Sequence, residues 1–380
     1  MNPEGALTLT LRVSERRVDD VQLSSTRRTD YSAALAGRDV HDAVLLVPSL
    51  FSICASAHAV AALGACEAAL GVHVDEQQAR LRRLLTQLEA LDNHAFQVCV
   101  AWAKQAGVPP DVEGLRRLRQ ATEALRLWAH GGTRWTRVGG VGFTPSGSPR
   151  TPLRALRGAV DALVPTPARA GDARGLETWS QGGTSPAAAL FRQVRELDAA
   201  HFGKSTRPLL PAMSAAWYAQ RLVGPDFGAH PALDSGAAEA GALSRVAEHP
   251  ALAPLVSAHG HTVLTRLVAV LIDLHALAAT VTAAADVLEP SNGHAPAERD
   301  SGQAAGVADT SRGRLAHAVE LASNKAVHWR QVAPTEWSFH PFGVLREALL
   351  GAPAEELARR AALLVLSLDP CVPCRVVVED

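Results

Sequence analysis

Leucine alternates with threonine through "ALTLTLRV", and the two-residue period resumes in "RRVDDVQLSS" after a charged turn. Residues 6–25 are therefore expected to form a β-hairpin with one apolar face. From about Asp39 the pattern becomes helical. "SICASAHAVAALGACEAAL" is a run of almost entirely small residues, the kind that lets another helix or a ligand approach closely. "DEQQARLRRLLTQLEALDNHAFQVCVAWAKQAG" repeats Leu and Val at three- and four-residue intervals and stops at a Gly followed by Pro-Pro. "DVEGLRRLRQATEALRLWAHGG" predicts another amphipathic helix. Residues 139–186 are rich in Gly, Pro, Ser and Thr and read as a long loop. Helical signal returns at "SPAAALFRQVRELDAAHFG" and across 238–288, and 289–311 reads as a second long loop. "AVHWRQVAPTEWSF" suggests a short strand and a turn. "PAEELARRAALLVLSL" is the last helix and delivers Asp369 and a Cys-x-x-Cys pair at its C-terminal end. The pattern predicts a mainly α (α+β) chain, a single domain over 1–380 with a β-rich start over 1–38.

Composition narrows the function classes. At 380 residues, 47% hydrophobic and 20% charged, the chain has ample material for a core. Its 37 Lys and Arg nearly balance 38 Asp and Glu, so no overall field recruits nucleic acid or an acidic membrane surface. "TRLVAVLIDLHALAATVTAAADVL" is long and apolar, but Arg266, Asp273 and His275 within it favour a buried core helix over membrane insertion. The N-terminus lacks the basic flank and apolar core of a signal peptide. Five scattered cysteines, an odd number, do not form a secreted disulfide framework. A cytoplasmic location is expected.

Two of the five, Cys371 and Cys374, stand in "DPCVPC". Taken alone, that pair admits a zinc half-site, a redox pair or inert thiols. A thioredoxin-like pair opens a helix after a strand, whereas this one follows a helix. Cys54 lies in the small-residue helix, where a lone cysteine is usually core packing. Nothing in the surroundings of Cys66 or Cys99 favours more than core packing.

Four separated stretches together resemble the [NiFe] hydrogenase large subunit. "DPCVPCRVV" is similar to Asp-Pro-Cys-x-x-Cys-x-x-His, and "SLFSICASAH" to Arg-x-Cys-Gly-x-Cys-x-x-x-His. "SRGRLAH" resembles Pro-Arg-Gly-x-Leu-Gly-His, and "VAPTEW" resembles Val-Pro-Thr-x-Trp. Glu4-Gly5 and "LAGRDVHDA" fit the stretches that precede the first cysteine motif. The resemblance implies that family's large-subunit fold, with a central antiparallel helical bundle and a small N-terminal β-hairpin.

The departures from the family pattern matter as much. In a hydrogenase, four thiolates hold nickel and iron, and the second cysteine of each motif bridges the metals. The bridging positions are kept as Cys54 and Cys374, and Cys371 is also present, but Phe51 stands at the fourth, nickel-only position. A phenyl ring donates no electron pair. The motif's last His is Val377, and the family's acidic partner of that metal site falls at Ser32. The chain stops six residues after Cys374, so the proteolytic tail removal of family precursors is not expected.

This combination looks like the HupK/HoxV group of hydrogenase maturation proteins. That resemblance implies a non-catalytic scaffold for the Fe(CN)2(CO) fragment, with nickel not expected. Cys54 and Cys374 would be its iron ligands and Cys371 a candidate metal ligand, while Arg312 and Thr335 would donate to the cyanides. His58 is a candidate cofactor-binding residue and Asn93 and His94 are supports. Glu4 corresponds to a family proton carrier for which a scaffold has no evident need. The implied partners are a HypC-type chaperone, other maturation proteins and the hydrogenase large subunit. A degenerate large subunit with unusual ligation, and a metal-free interaction protein of the same fold, are the competing readings.

Overall fold

A computed structural model describes residues 4–132, 135–293 and 295–379. Strands β1 (Leu7–Ser14) and β2 (Arg17–Ser25) pair antiparallel, joined by a turn in which Glu15 and Arg16 both have positive φ. Leu7, Leu9 and Leu11 of β1 are buried, and the threonines between them are half-buried. The two-residue period thus places one apolar face against the core.

The principal helices are α1 (Ala55–Leu70), α2 (Glu76–Phe96), α3 (Val112–His130), α4 (Arg150–Leu163), α5 (Val263–Asp286), α6 (Pro334–Ser338) and α7 (Leu357–Leu368). Helix α2 packs on α3 and α5, and α3 packs on α4. One apolar cluster runs from Leu7 in β1 through Leu88, Leu125 and Leu271 to Val372 near the other end of the chain.

Two expected loops are corrected. Within 139–186 the structure has α4 and the short helices Thr166–Ala170 and Ala173–Gly182. The prolines that suggested loop stand at helix starts: Pro149 and Pro165 are N-cap residues, and Pro167 lies in a first turn. An amide without a hydrogen costs nothing there, because first-turn N–H groups have no intrahelical acceptor. Asp172 caps the next helix by accepting from the Gly175 N–H.

Within 289–311, residues Gly302–Thr310 form strand β3, followed by β4 (Gly313–Ala322) and β5 (Lys325–Val332) in an antiparallel sheet of order β3-β4-β5. The sequence hid β3 because "GQAAGVADT" has little of the β-branched and aromatic content that marks strands. Its small residues have another cause. Helix α1 lies directly on β3, and a Cβ at Gly306 would fall 2.2 Å from the Ala61 carbonyl oxygen. The alanines and glycines of both elements allow that approach.

The strand β6 (Cys374–Glu379) runs parallel to β1, with Cys374 opposite Leu7, and completes a sheet of order β2-β1-β6. Helix α5 is long and apolar enough to cross a membrane, but here it is packed in the core. Its buried Arg266 makes a two-pronged ion pair with Glu239, at 2.8 Å on each arm, and donates to the Gly203 carbonyl. Its buried Asp273 pairs with Arg245. Buried charges persist when paired and hydrogen-bonded in this way.

Candidate functional site

Cys54 occupies the N-cap of α1, but its side chain does not cap the helix. Glu89 of α2 does so instead, its carboxylate accepting from the Ser56 and Ala57 N–H groups at 2.7 and 3.0 Å. The Cys54 sulfur is thereby free to face Arg312, whose Nη1 lies 3.8 Å away. Asn93 donates to the Ile53 carbonyl and steadies the same turn.

Arg312 sits on the tight β3–β4 connection, where Gly313 takes φ 123° and Thr310 Oγ1 accepts the Arg312 N–H. The turn is gripped from below. Arg245 donates to the carbonyls of Thr310 and Ser311 at 2.7 and 2.6 Å, and the Asp273 carboxylate holds Arg245. His94 adds a 2.6 Å contact to Asp273. Burial alone would raise the Asp273 pKa; the Arg245 guanidinium and His94 more than reverse this and hold it well below the usual carboxylate range.

The Arg312 guanidinium reaches the other cysteine motif. Nε donates to the Asp369 carbonyl at 2.9 Å and Nη2 to the Asp369 carboxylate at 3.1 Å. Asp369 ends α7 with φ 49° and turns the chain toward Pro370 and Cys371. Thr335, in the first turn of α6, donates its hydroxyl proton to the Cys371 sulfur at 3.1 Å and accepts the Cys371 N–H at 3.2 Å. Arg312 and Thr335 thus tie down opposite ends of the same short stretch.

Behind these residues, Arg27 and Glu336 form a buried ion pair at 2.5 Å, and Glu336 also accepts the Ala333 N–H at the start of α6. Burial raises the Cys371 pKa while Arg27 and Arg312 oppose that rise. Burial likewise pushes the Cys54 thiol far up, with Arg312 acting against it. Both thiols are protonated at neutral pH, so a metal binding there must displace their protons.

Phe51, Cys54, His58, Arg312, Thr335 and Cys371 all line one small inner cavity of about 10 Å³, room for about one water. Glu4 lines it too, and its carboxylate accepts the Ser52 N–H. Beside it opens a cleft of about 1000 Å³ whose walls include Glu89, Phe96, Arg126, Cys371 and Cys374. Ile53, Arg312 and Cys371 line both spaces and form the neck between them.

Cys374 stands apart from the inner cavity. The expected thiol pair was Cys54 with Cys374, yet the structure places Cys371 with Cys54 at the inner cavity and leaves Cys374 on the cleft wall. The reason is β6: pairing with β1 begins at Cys374 and fixes its direction, while Cys371 lies in the preceding turn and reaches Thr335. Burial pushes the Cys374 thiol up to about 11, with no charged neighbour contributing. Among the described residues no three His, Cys, Asp or Glu side chains are grouped as a ready-made metal site.

The aromatic residues around the cavity fix the state of His58. Trp329 Nε1–H, which can only donate, gives its hydrogen to His317 Nδ1 at 2.9 Å. His317 therefore carries its proton on Nε2 and donates it to His58 Nδ1 at 2.8 Å. His58 is left with its own proton on Nε2, so neither imidazole has a spare lone pair. Burial keeps both rings neutral, lowering the His317 pKa to about 3 and that of His58 well below its ordinary value. The Phe51 ring stacks on His58 at 3.4 Å and 2°.

The other sequence candidates are structural. Ser32 Oγ accepts the Trp329 N–H, Val377 lies in β6, and Cys66 and Cys99 are fully buried among apolar side chains. Arg27, Glu89, Glu336 and Trp329 escaped the sequence reading. Trp329 stood in a quoted strand; Arg27 had no local signal at all.

No model of a protein family matches the chain. It is 29% identical over 359 residues to the hydrogenase expression/formation protein HupV of Azotobacter chroococcum mcd 1, covering 90% of this chain and 89% of that one. It is 28% identical over 391 residues to the hydrogenase expression/formation protein HupK of Rhizobium leguminosarum bv. viciae, covering 99% and 97%. In structure it matches the Ni-Fe-Se hydrogenase from D. vulgaris Hildenborough with a TM-score of 0.68, 16% identity and 94% of each chain covered. The chain is similar over nearly its whole length to proteins named HupK, HupV and HoxV, hydrogenase expression/formation proteins, and has the α+β fold of the [NiFe] hydrogenase large subunit.

Proposed function

We propose that this chain is a non-catalytic maturation scaffold on which the Fe(CN)2(CO) fragment of the [NiFe] hydrogenase cofactor is assembled or carried before transfer to the hydrogenase large subunit. The observation that carries this reading is the convergence of Cys54, Cys371, Arg312 and Thr335 on one cavity that Phe51 also lines. The names of the relatives support a role in hydrogenase formation.

The donor set suits the cargo. Low-spin ferrous iron takes soft thiolates, and its cyanides take hydrogen bonds at nitrogen. Arg312 offers a fixed charge and Thr335 a hydroxyl close to the two thiols. Space sets a condition. A cavity of about 10 Å³ does not contain an iron with three diatomic ligands, so the cargo is seated at the neck, with the neighbouring cleft supplying room. The residues Phe51 and His58 present no lone pair toward a second metal, which argues against nickel as a resident.

The packed helices α2, α3, α4 and α5 serve in this reading as the central antiparallel bundle that frames the site, within a single cytoplasmic domain. A HypC-type chaperone and other maturation proteins are the donors of the fragment, and the hydrogenase large subunit is its recipient. The test is infrared absorption and metal analysis of the chain purified after co-expression with the maturation proteins. Cyanide and carbonyl stretching bands with iron and without nickel are expected. Near-stoichiometric nickel with hydrogen uptake would overturn the reading in favour of a degenerate enzyme subunit. Absence of the bands would leave a metal-free interaction protein.

A further inference from the structure

The thiols are distributed unevenly between the two spaces. Cys371 and Cys374 both line the wide cleft, Cys54 and Cys371 both line the small inner cavity, and Cys371 alone among them lines both. Cys54 is 7% exposed, whereas Cys371 and Cys374 are half-buried. The supports differ as well. Cys371 is held at its sulfur and its amide by Thr335, and Arg312 joins the Asp369 turn before it to Cys54. Cys374 has its backbone fixed in the sheet, and among the described residues no hydrogen bond reaches its sulfur.

We propose that the three cysteines form two successive iron stations that share Cys371, an outer one of Cys371 with Cys374 in the cleft and an inner one of Cys54 with Cys371 at the neck. This rests on the scaffold reading above and specifies its ligand order. The fragment arrives in the cleft, the only one of the two spaces large enough to admit a partner-borne group, bound through two thiolates of the delivering partner. The two bonds from iron to those sulfurs break and two bonds to the Cys371 and Cys374 sulfurs form. The two thiol protons pass to the released partner sulfurs, with the iron unchanged in oxidation state. It then moves inward by a single exchange. The bond from iron to the Cys374 sulfur breaks and a bond from iron to the Cys54 sulfur forms. The proton of the Cys54 thiol passes to the Cys374 sulfur, and the iron keeps its oxidation state, so atoms and electrons balance. Cys371 stays bound throughout. The inner station brings the cyanides within range of the Arg312 and Thr335 donors. Release to an acceptor runs the exchange in reverse. A Cys-x-x-Cys turn is suited to the outer role because its two cysteines are close in sequence and both line the cleft.

The experiment uses the full chain co-expressed with the maturation proteins and the infrared bands of the bound fragment as the readout. In the loaded wild-type chain, brief native alkylation followed by peptide mass analysis is expected to label Cys374 and spare Cys371 and Cys54. In the unloaded chain Cys371 and Cys374 are both labelled. Cys371→Ser is expected to lose the bands entirely. Cys54→Ser is expected to keep bands at shifted frequencies, because the fragment stops at the outer station. Cys374→Ser is expected to load more slowly but to reach wild-type band positions. Thr335→Val, which keeps all three thiols and a native fold, is expected to shift the wild-type bands more than it shifts those of Cys54→Ser when the two are combined, because only the inner station adds a hydroxyl–cyanide contact to the Thr335–Cys371 hydrogen bond. Protection of Cys374 with labelling of Cys371 in the loaded wild-type chain overturns the two-station order while leaving the scaffold reading intact. A wild-type chain without cyanide and carbonyl bands overturns both.

Discussion

Around the inner cavity, one set of residues is charged and directional and another is aromatic and electrically quiet. Arg312, Thr335 and Asp369 join the two cysteine stretches through hydrogen bonds that include an ion pair. Phe51, His58, His317 and Trp329 meet through ring contacts and two neutral hydrogen bonds, which consume both histidine acceptor nitrogens. The first set can answer a negatively charged ligand, and the second offers no electron pair to a metal. The comparison teaches that the closure on the aromatic side involves more than one residue. The ring at position 51 is stacked on His58, whose acceptor nitrogen is taken by His317, so both cavity-lining residues on this side are closed to coordination.

The largest expected effect comes from the foundation of the charged set. Asp273→Ala leaves the half-buried Arg245 guanidinium without its buried carboxylate and loosens its grip on the Thr310 and Ser311 carbonyls. Breaking a buried pair in this way costs about 3–5 kcal/mol, to be measured by denaturant unfolding. The same group sets part of the acid sensitivity. Its folded pKa is depressed, so its contribution is fully present above the unfolded value of about 3.9 and is lost as pH falls below it. Asp273→Asn should therefore flatten the stability profile below about pH 4. An unchanged profile would show that the charged set does not depend on this pair.

The aromatic set is tested by Phe51→Ala, expected to cost about 3 kcal/mol through the cavity left beside His58 and Tyr31. Iron loading should survive, since no thiol or donor is removed. Phe51→Cys places a sulfur at that position, and added Ni²⁺ is expected to give thiolate–nickel absorption that the wild-type chain lacks. Failure of the variant to bind nickel while folded would mean that the neighbouring rings, not residue 51 alone, exclude the metal.

Trp329→Phe is milder, about 2 kcal/mol, because it leaves the buried His317 Nδ1 without a donor. Nitrogen NMR of the histidine rings should show a single tautomer for His58 in the wild-type chain and a mixture in the variant. A mixture in both would remove the argument that His58 has no free lone pair.

The sequence made some of this legible and hid the rest for physical reasons. Strong periodicity exposed α2, α3 and the β1–β2 pairing, and the cysteine and arginine motifs named five of the residues that meet at the inner cavity: Cys54, His58, Arg312, Thr335 and Cys371. Strand β3 was hidden because its small residues serve contact with α1 rather than strand propensity. Prolines in the 139–186 region marked helix beginnings and were read as loop. The exchange of Cys371 for Cys374 at the cavity depends on where β6 begins to pair with β1, a long-range register that local pattern does not encode. Arg27 reaches Glu336 across 309 residues, and only the folded chain joins them.

Thr335→Val is the smallest change and the finest probe of the charged set. Valine keeps the shape of the side chain and removes one hydroxyl, which gives a proton to the Cys371 sulfur and accepts its amide. The loss in stability should be about 1 kcal/mol, the usual net value of one such hydrogen bond. Its effect on cargo should be larger in proportion, since outer partners of metal ligands commonly alter affinity by about 10- to 100-fold. The expected result is a folded protein that loads less iron and shows shifted cyanide bands, with the carbonyl band moving less because it accepts hydrogen bonds more weakly. If stability falls as stated but the bands and the iron content do not change, Thr335 holds only the Cys371 turn, and cyanide recognition must come from Arg312 alone.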